Sequence, residues 1–207
     1  SYIGALAYHL YWDSTPTNLL AMKVLAEQSG LPLWMTEYGG ATFAGYTGAM
    51  TWATWMHELL SLYGVSAVDF LWGFFGDWTT NSTYIAVRSN QGTYTGHTKM
   101  PVYYAAGHFA KYVRPGAVRI EATSADPEVL VSAYLNGPAP TVVLINTAAT
   151  QKTLTIQMPL SRAVTMAQMQ TTPSAAWQSL PPIAAGLMNF VVVLPPTSLL
   201  TLTEIQP

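Results

Sequence analysis

Apolar runs and amphipathic stretches alternate along the first hundred residues of the chain. Three short, strand-like apolar runs cover residues 5–12, 31–37 and 67–75. Between them, residues 18–29 and 52–63 carry apolar side chains three and four positions apart, which is the spacing of one helix face. Thr17 is a helix-capping residue type, and Gly30 and Gly64 are typical helix stops. With right-handed crossovers, this β-α-β-α-β order predicts a parallel sheet covered by helices.

The pattern changes after a third predicted helix. Residues 76–98 are rich in Thr, Asn, Ser and Gly and are predicted as a loop. A helix then begins at Pro101 and stops before the Arg-Pro-Gly sequence at 114–116. From residue 117 onward, short β-rich segments are separated by Gly, Pro, Asn and Ser, without helical periodicity. We therefore expect two domains: an α/β domain over residues 1–116 and an antiparallel β-sandwich over residues 117–207.

Composition excludes several classes of function. The chain of 207 residues is 50% hydrophobic and only 9% charged, where soluble domains average about 25% charged. A net charge of -2 leaves no basic stripe, so nucleic-acid binding is not expected. No uninterrupted apolar run approaches the roughly 20 residues of a membrane span. Without cysteine there are no disulfides or thiolate ligands, and the histidines lack metal-ligand spacing, so we expect neither metal nor cofactor.

The ends of the three predicted strands are unusually rich in aromatic and hydrogen-bonding side chains. These are His9, Tyr11 and Trp12 in the first, Glu37 and Tyr38 in the second, and Trp72 in the third. In parallel α/β folds, ligands bind at the carboxyl ends of the strands. Aromatic rings pack on the C–H faces of sugars, while His, Tyr and Glu can bond sugar hydroxyls. No glycine-rich phosphate loop follows any strand, so a carbohydrate ligand is favoured over a nucleotide.

Four motifs in sequence order carry a family resemblance. They are AYHLYW at 7–12, LWMTEYGG at 33–40, FLWGFFGDW at 70–78 and KMPVYYAAGHFAKYVRPGAVRI at 99–120. Together they resemble the C-terminal half of a clan A glycoside hydrolase, most closely family 30, which includes glucosylceramidases, endo-β-1,6-glucanases and glucuronoxylanases. The resemblance implies strands six to eight of a TIM (β/α)8 barrel followed by a side β-sandwich, because three strands are too few to close such a barrel.

The resemblance also implies a role for each candidate residue. Glu37 is expected to be the nucleophile of a retaining β-glycoside hydrolase. His9, Tyr11 and Trp72 are expected to line the subsite of the sugar that is attacked, and Trp12 and Tyr38 extend the same wall. The low charge and the Thr, Ala and Pro content suit an extracellular enzyme.

The second catalytic carboxyl group has no counterpart in this chain. A retaining enzyme needs two carboxyl groups about 5–5.5 Å apart. In family 30 the acid/base Glu belongs to an Asn-Glu-Pro-type motif after strand four, but this sequence contains no Asn-Glu dipeptide. We therefore expect half an active site, inactive in isolation. Its expected partner is an N-terminal half of the same enzyme, or another chain, that completes the barrel.

Two other interpretations of the sequence stay open. In one, the chain is a non-catalytic carbohydrate-binding fragment that holds a glycan without cleaving it. In the other, it is a degenerate scaffold without a ligand, in which Glu37 caps a loop and His9 is a hydrogen-bonded core histidine.

Overall fold

The computed structural model describes residues 3–11, 14–40, 43–76, 82–185 and 189–205. The chain divides into two units, Ser1–Tyr103 and Tyr104–Pro207. This division falls inside the third helix, α3 (Pro101–Ala110), whereas the sequence pattern changes character after residue 116. Among the described residues, every helix is too short or too polar to cross a membrane.

A three-stranded parallel sheet, in the order β1-β2-β3, forms the centre of the first unit. Its strands and connecting helices are β1 (Leu6–His9), α1 (Pro16–Ser29), β2 (Leu33–Glu37), α2 (Gly45–Ser61) and β3 (Val65–Val68). Leu33 lies beside Leu6 on one neighbouring strand and beside Val65 on the other, and both pairs are parallel. The predicted β-α-β-α-β order and parallel sheet are confirmed.

Helix α1 begins two residues earlier than the sequence predicts. The Thr15 side chain accepts the backbone N–H of Asn18 at 3.2 Å, so Thr15 rather than Thr17 is the N-cap. Pro16 then takes the first helical position, where its missing N–H has no cost. Gly30 ends the helix in the left-handed conformation, with φ of 64°, as predicted from the sequence.

The two faces of the parallel sheet differ sharply in burial. Leu33, Met35 and Val65 are buried, at 2%, 0% and 4% exposure. On the opposite face, the side chains of Ala7 and Trp34 are exposed, and Trp34 keeps 42% of its surface accessible. Parallel sheets are normally covered on both faces. Among the described residues of this unit, therefore, one face of the sheet lacks the cover that its architecture calls for.

The third predicted strand is two pieces rather than one. β3 ends at Val68, and residues 74–76 belong to a separate strand, β4 (Phe74–Gly76), in another sheet. The intervening Phe70 leaves the strand direction because its ring packs against Trp52 at 4.9 Å and stacks on Tyr84 at 4.6 Å. An apolar run does not distinguish a buried strand from a turn packed among rings, so the prediction of a continuous strand over 67–75 was wrong.

The segment predicted as a loop contains a small sheet. β5 (Ile85–Asn90) and β6 (Thr93–Lys99) form an antiparallel hairpin, and β4 pairs with β5 in parallel. Gln91 and Gly92 both have positive φ, 48° and 80°, which is the geometry of a tight hairpin turn. The loop prediction failed because a Thr-, Ser- and Asn-rich composition is equally compatible with solvent-exposed strands.

Antiparallel strands make up most of the second unit. They are β7 (Val118–Ile120), β8 (Val129–Asn136), β9 (Ala139–Asn146), β10 (Lys152–Ile156), β11 (Val164–Thr171), β12 (Gln178–Ala185), β13 (Phe190–Leu194) and β14 (Ser198–Glu204). A six-stranded sheet, β12-β11-β14-β9-β8-β7, faces the two-stranded sheet β10-β13 across one apolar core. Phe190, Val192 and Leu194 point into this core while Val191 and Val193 are exposed. The sandwich-like arrangement confirms the fold class predicted for this part of the chain.

Candidate active site

A carboxylate at the end of β2 meets two side chains from the end of β1. Glu37 is the last residue of β2, and its Oε1 accepts a hydrogen bond of 2.9 Å from the Tyr11 hydroxyl. The Nδ1 of His9 lies 3.7 Å from the same oxygen. The Leu10 backbone N–H donates to the Glu37 carbonyl oxygen at 3.0 Å, so the two strand ends are fixed to each other by the main chain as well.

The site is open to solvent but directs Tyr11 to act as a donor. The Glu37 side chain is 35% exposed and that of His9 is 55% exposed. Burial raises the pKa of Tyr11, and the hydrogen bond to Glu37 and its negative charge raise it further. The phenol therefore keeps its proton at neutral pH and donates it to the carboxylate, an interaction stronger than a neutral hydrogen bond.

Tyr38 anchors the residue after the carboxylate in a cluster of aromatic rings. Its ring lies 5.6 Å from Tyr11, 5.1 Å from Phe43, 6.4 Å from Trp52 and 6.2 Å from Trp55. The contacts with Phe43 and Trp55 are edge-to-face, an arrangement that adds stability beyond the buried area. The backbone at Glu37 is thus held by a packed side chain immediately after it.

The loop after β3 lies directly on the loop after β2. The Leu71 backbone N–H donates to the Tyr38 carbonyl oxygen at 2.9 Å. A Cβ at Gly39 would lie only 1.7 Å from the Leu71 carbonyl oxygen, so this close approach requires glycine. Trp72 follows at once, 46% exposed, with its ring stacked on Phe75 at 4.4 Å.

The structure brings four of the six predicted site residues into one cluster: His9, Tyr11, Glu37 and Tyr38. For Trp72, the structure places only the main chain of the preceding residue, Leu71, against this cluster, through the bond to the Tyr38 carbonyl oxygen, while the Trp72 ring stacks on Phe75. Trp12 lies outside the described residues, as do the neighbouring Asp77 and Trp78 of the third motif.

Other acidic residues of the first unit are placed differently. Glu27 and Glu58 lie near the C-terminal ends of α1 and α2. Because each helix runs back to the start of the next strand, the C-terminal ends of α1 and α2 lie near the amino ends of the strands, whereas Glu37 lies at a carboxyl end. Asp69, predicted inside a strand, comes directly after β3, and its charge is one of the influences that raise the pKa of the half-buried Tyr84. In the described residues, no group of three His, Asp or Glu could hold a metal ion.

Sequence reasoning missed the residues that hold the two site loops together. Trp52 is predicted only as the first apolar residue of the 52–63 helix face, and Ser82, Thr83 and Tyr84 fall in the predicted loop. Ser82 and Thr83 are buried, at 4% and 3% exposure, and their hydroxyls bond loop carbonyls. Short polar side chains give no signal of burial in a sequence, so no pattern could have marked them.

Comparisons with known proteins give structural matches only. No family model and no curated protein matches the sequence. A GH30 endoxylanase from Clostridium papyrosolvens C71 matches 99% of this chain with a TM-score of 0.79 and 22% identity, over 49% of its own chain. An endo-β-1,6-glucanase matches 100% of the chain with a TM-score of 0.69 and 17% identity, over 42% of its own. A conserved exported protein from Bacteroides fragilis matches 97% with a TM-score of 0.73 and 18% identity, over 46% of its own.

These matches define the class of fold. The chain has the fold of the C-terminal half of glycoside hydrolase family 30 enzymes. It spans about half the length of the structures that it matches.

Proposed function

We propose that this chain supplies the nucleophile half of a retaining β-glycoside hydrolase, with Glu37 as the nucleophile. The observation that carries the proposal is the Glu37 carboxylate at a strand end, bonded by Tyr11 at 2.9 Å and 35% exposed. A group that served only to cap a loop would bond backbone N–H groups, whereas this oxygen is held by side chains and stays accessible. The fold shared with glycoside hydrolases supports the same interpretation.

Each residue has a distinct part in the proposed reaction. Glu37 attacks the anomeric carbon, and the bond from that carbon to the glycosidic oxygen breaks as a covalent glycosyl-enzyme forms. Tyr11 holds the attacking carboxylate in one orientation, and His9 faces the same oxygen. Trp72, with Trp12 and Tyr38, provides the aromatic wall for the sugar. A carboxylic acid from outside this chain protonates the departing oxygen and then activates the water that releases the sugar.

The proposal includes a second half of the enzyme. Residues 1–116 are assigned to strands six to eight of a TIM barrel and residues 117–207 to the side β-domain. The exposed sheet face with Trp34 supports this assignment, because in a closed barrel that face is filled by side chains of the other strands. The partner is an N-terminal half of the same enzyme or another chain, and the isolated chain is expected to be inactive.

The proposed substrate is an extracellular β-linked glycan. The matched structures include enzymes named as an endoxylanase and an endo-β-1,6-glucanase, so xylan and β-1,6-glucan are the first polymers to test. The match to a protein named as exported supports an extracellular location.

Substitution of the proposed nucleophile tests the function. In the complete enzyme that contains this chain, Glu37→Gln is expected to lower kcat on an aryl β-xyloside or β-glucoside at least about a thousandfold while leaving sugar affinity nearly unchanged. A 2-fluoro glycoside is expected to add one sugar to Glu37, detected by peptide mass spectrometry. Glu27→Gln, a carboxylate at the opposite edge of the sheet, is the matched control and should retain full activity. Undiminished turnover in Glu37→Gln refutes the assignment.

A non-catalytic carbohydrate-binding fragment is the second candidate. It is favoured by one observation: Trp72 is 46% exposed, and among the described residues Glu37 is the one carboxylate bonded in the strand-end cluster. If the chain is a carbohydrate-binding fragment, xylotetraose or gentiotriose should quench its tryptophan fluorescence. The complete protein should then neither turn over a glycoside nor be labelled by the 2-fluoro sugar. Trapping at Glu37 therefore separates the two candidates.

A further inference from the structure

Three consecutive residues, Ser82-Thr83-Tyr84, lie between the two loops that carry the site. Ser82 and Thr83 are buried, and Tyr84 precedes β5 directly. We call these three residues the 82–84 segment. Its composition is polar for a buried stretch, so each hydroxyl needs a hydrogen-bond partner.

The segment makes two hydrogen bonds to the carbonyl oxygen of Trp72. The Thr83 hydroxyl donates to the Trp72 carbonyl oxygen at 2.9 Å, its shortest carbonyl contact. The Tyr84 backbone N–H donates to the same oxygen at 3.1 Å, and Ile85 N–H donates to Gly73 at 3.0 Å. The carbonyl oxygen of Trp72 thus has both of its lone pairs occupied by this segment.

The same segment reaches the loop that follows Glu37. The Ser82 hydroxyl donates to the carbonyl oxygen of Gly40, three residues after Glu37. The position of the Glu37 loop and the position of the Trp72 loop are therefore set by neighbouring residues of one short segment.

Tyr84 ties this arrangement to the underlying helix. Its ring stacks on Phe70 at 4.6 Å with an interplanar angle of 16°. Its hydroxyl oxygen accepts the indole N–H of Trp52, in α2, at 3.3 Å. Trp52 is fully buried, so the segment rests on a side chain that cannot move independently of the core.

We propose that the 82–84 segment is a positioning element, which holds the Trp72 ring at a fixed place relative to the Glu37 carboxylate. This inference rests on the proposed function, in which Trp72 contacts sugar and Glu37 attacks it. A segment that only filled space would be apolar, whereas the side-chain hydroxyls of Ser82 and Thr83 both bond main-chain carbonyls of the two site loops. Thr83 is then a positioning residue, acting on the sugar through Trp72.

The test uses the 207-residue chain labelled with 5-fluorotryptophan. The Trp72 fluorine resonance is assigned with Trp72→Phe, and xylotetraose or gentiotriose is titrated. Thr83→Val keeps nearly the same shape but removes the hydroxyl. It is expected to shift or broaden the Trp72 resonance and to weaken the apparent sugar affinity about five- to tenfold, the effect of one lost hydrogen bond. Thr83→Ser is expected to restore both.

Thr141→Val is the matched control. Thr141 is fully buried in the second unit, and its hydroxyl pairs with that of Thr203 at 2.9 Å, so the same substitution removes a comparable hydrogen bond elsewhere. It should lower the melting temperature without moving the Trp72 resonance. The Trp177 resonance, from the second unit, serves as the internal reference in both variants.

Each outcome decides the matter. An unchanged Trp72 resonance in Thr83→Val, or an equal change in Thr141→Val, overturns the proposal. If no sugar shifts Trp72 in the wild-type chain but Thr83→Val still alters its resonance, the positioning role stands and sugar binding at Trp72 fails. Should Thr83→Val not fold, Ser82→Ala, which removes only the bond to Gly40, is expected to broaden the Trp72 resonance, and no effect there overturns the proposal.

Discussion

Tyr11 lies two residues after the end of β1, and Glu37 is the last residue of β2, so their hydrogen bond depends on how these two strands pair. The bond forms at 2.9 Å only because His9 and Glu37 are register partners at the ends of β1 and β2. The register also shifts between Tyr8 and His9, which changes the stagger of the two strands where the site begins. The residue-scale geometry is thus set by strand pairing that no single motif encodes.

Removal of the Tyr11 hydroxyl tests its role in holding the nucleophile. In the complete enzyme, Tyr11→Phe is expected to lower kcat/KM about ten- to a hundredfold, because a hydrogen bond to a charged group is lost while the ring is kept. Steady-state kinetics on an aryl glycoside and the rate of 2-fluoro glycoside trapping provide the measurement. Both rates should fall together.

A control for this substitution exists in the hairpin of the same unit. Tyr94 is 60% exposed, and its hydroxyl lies 2.7 Å from the Nδ1 of His97. Tyr94→Phe removes an equivalent phenol bonded to a side chain, and should leave kcat/KM within about twofold of wild type. Equal losses in the two variants would point to a general effect on the fold rather than to the nucleophile.

At the scale of elements, α3 is held to the sandwich by a histidine with no access to water. His108 is 0% exposed; its Nδ1 lies 2.7 Å from the Thr201 hydroxyl and its Nε2 lies 2.8 Å from that of Thr171. Thr201 donates its own proton to the His108 carbonyl oxygen, so it accepts from Nδ1–H. In a neutral ring with Nδ1 protonated, Nε2 is an acceptor, so the Thr171 hydroxyl, which also accepts the Trp177 backbone N–H, donates to it. This network satisfies both ring nitrogens of the neutral imidazole.

Acid is expected to destabilise this element. Burial lowers the pKa of His108 to about 3, while in the unfolded chain it stays near 6.5. Below pH 6.5 the unfolded chain binds a proton that the folded chain does not, so stability falls as pH falls. The contribution of His108 to the free energy of unfolding should drop by about 1.4 kcal/mol per pH unit between about pH 6 and pH 4. Stability from this residue is fully present above pH 6.5.

Urea unfolding of the chain at several pH values, followed by tryptophan fluorescence, measures this dependence. His108→Gln keeps one donor and one acceptor but does not titrate, and its stability should fall less steeply with acid. The difference between the two proteins removes the contributions of carboxylates and of His57, whose pKa burial also lowers. Identical slopes in wild type and His108→Gln would contradict the assignment.

Helices and strands with a clear hydrophobic period or a terminating glycine were predictable from the sequence. Turns held by ring packing and strands made of exposed polar residues were not. Gly30 marked the end of α1 because glycine alone adopts its left-handed conformation without strain. Phe70 was predicted as a strand residue, because its packing against Trp52 and Tyr84 involves residues that are distant in sequence. For the site, Glu37 and Tyr11 could be named from strand-end positions. The 82–84 segment could not, because its burial depends on bonds to carbonyl groups of two other loops, 11 and 42 residues away in sequence.

At the scale of the whole molecule, the exposed face of the parallel sheet is the strongest physical sign that this chain works as part of something larger. Leu33 and Met35 in β2 are buried under helices, while Trp34 between them is 42% exposed. A parallel sheet with one face buried and the other exposed to solvent is unusual, because parallel sheets are nearly always covered on both sides. If the proposed barrel forms, side chains of the missing strands fill the space over Trp34.

Accessibility of Trp34 therefore distinguishes the isolated chain from the complete enzyme. Acrylamide should quench the fluorescence of Trp34 in the isolated chain, measured as the difference in quenching between wild type and Trp34→Phe. In the complete enzyme this difference should disappear, because the indole is enclosed. Trp52, fully buried within the first unit, offers the matched control, because its quenching should be low in both proteins. Equal quenching of Trp34 in the two proteins would mean that the proposed other half does not cover this face. The barrel assignment of residues 1–116 would then fail. The nucleophile assignment of Glu37 is tested separately, by trapping.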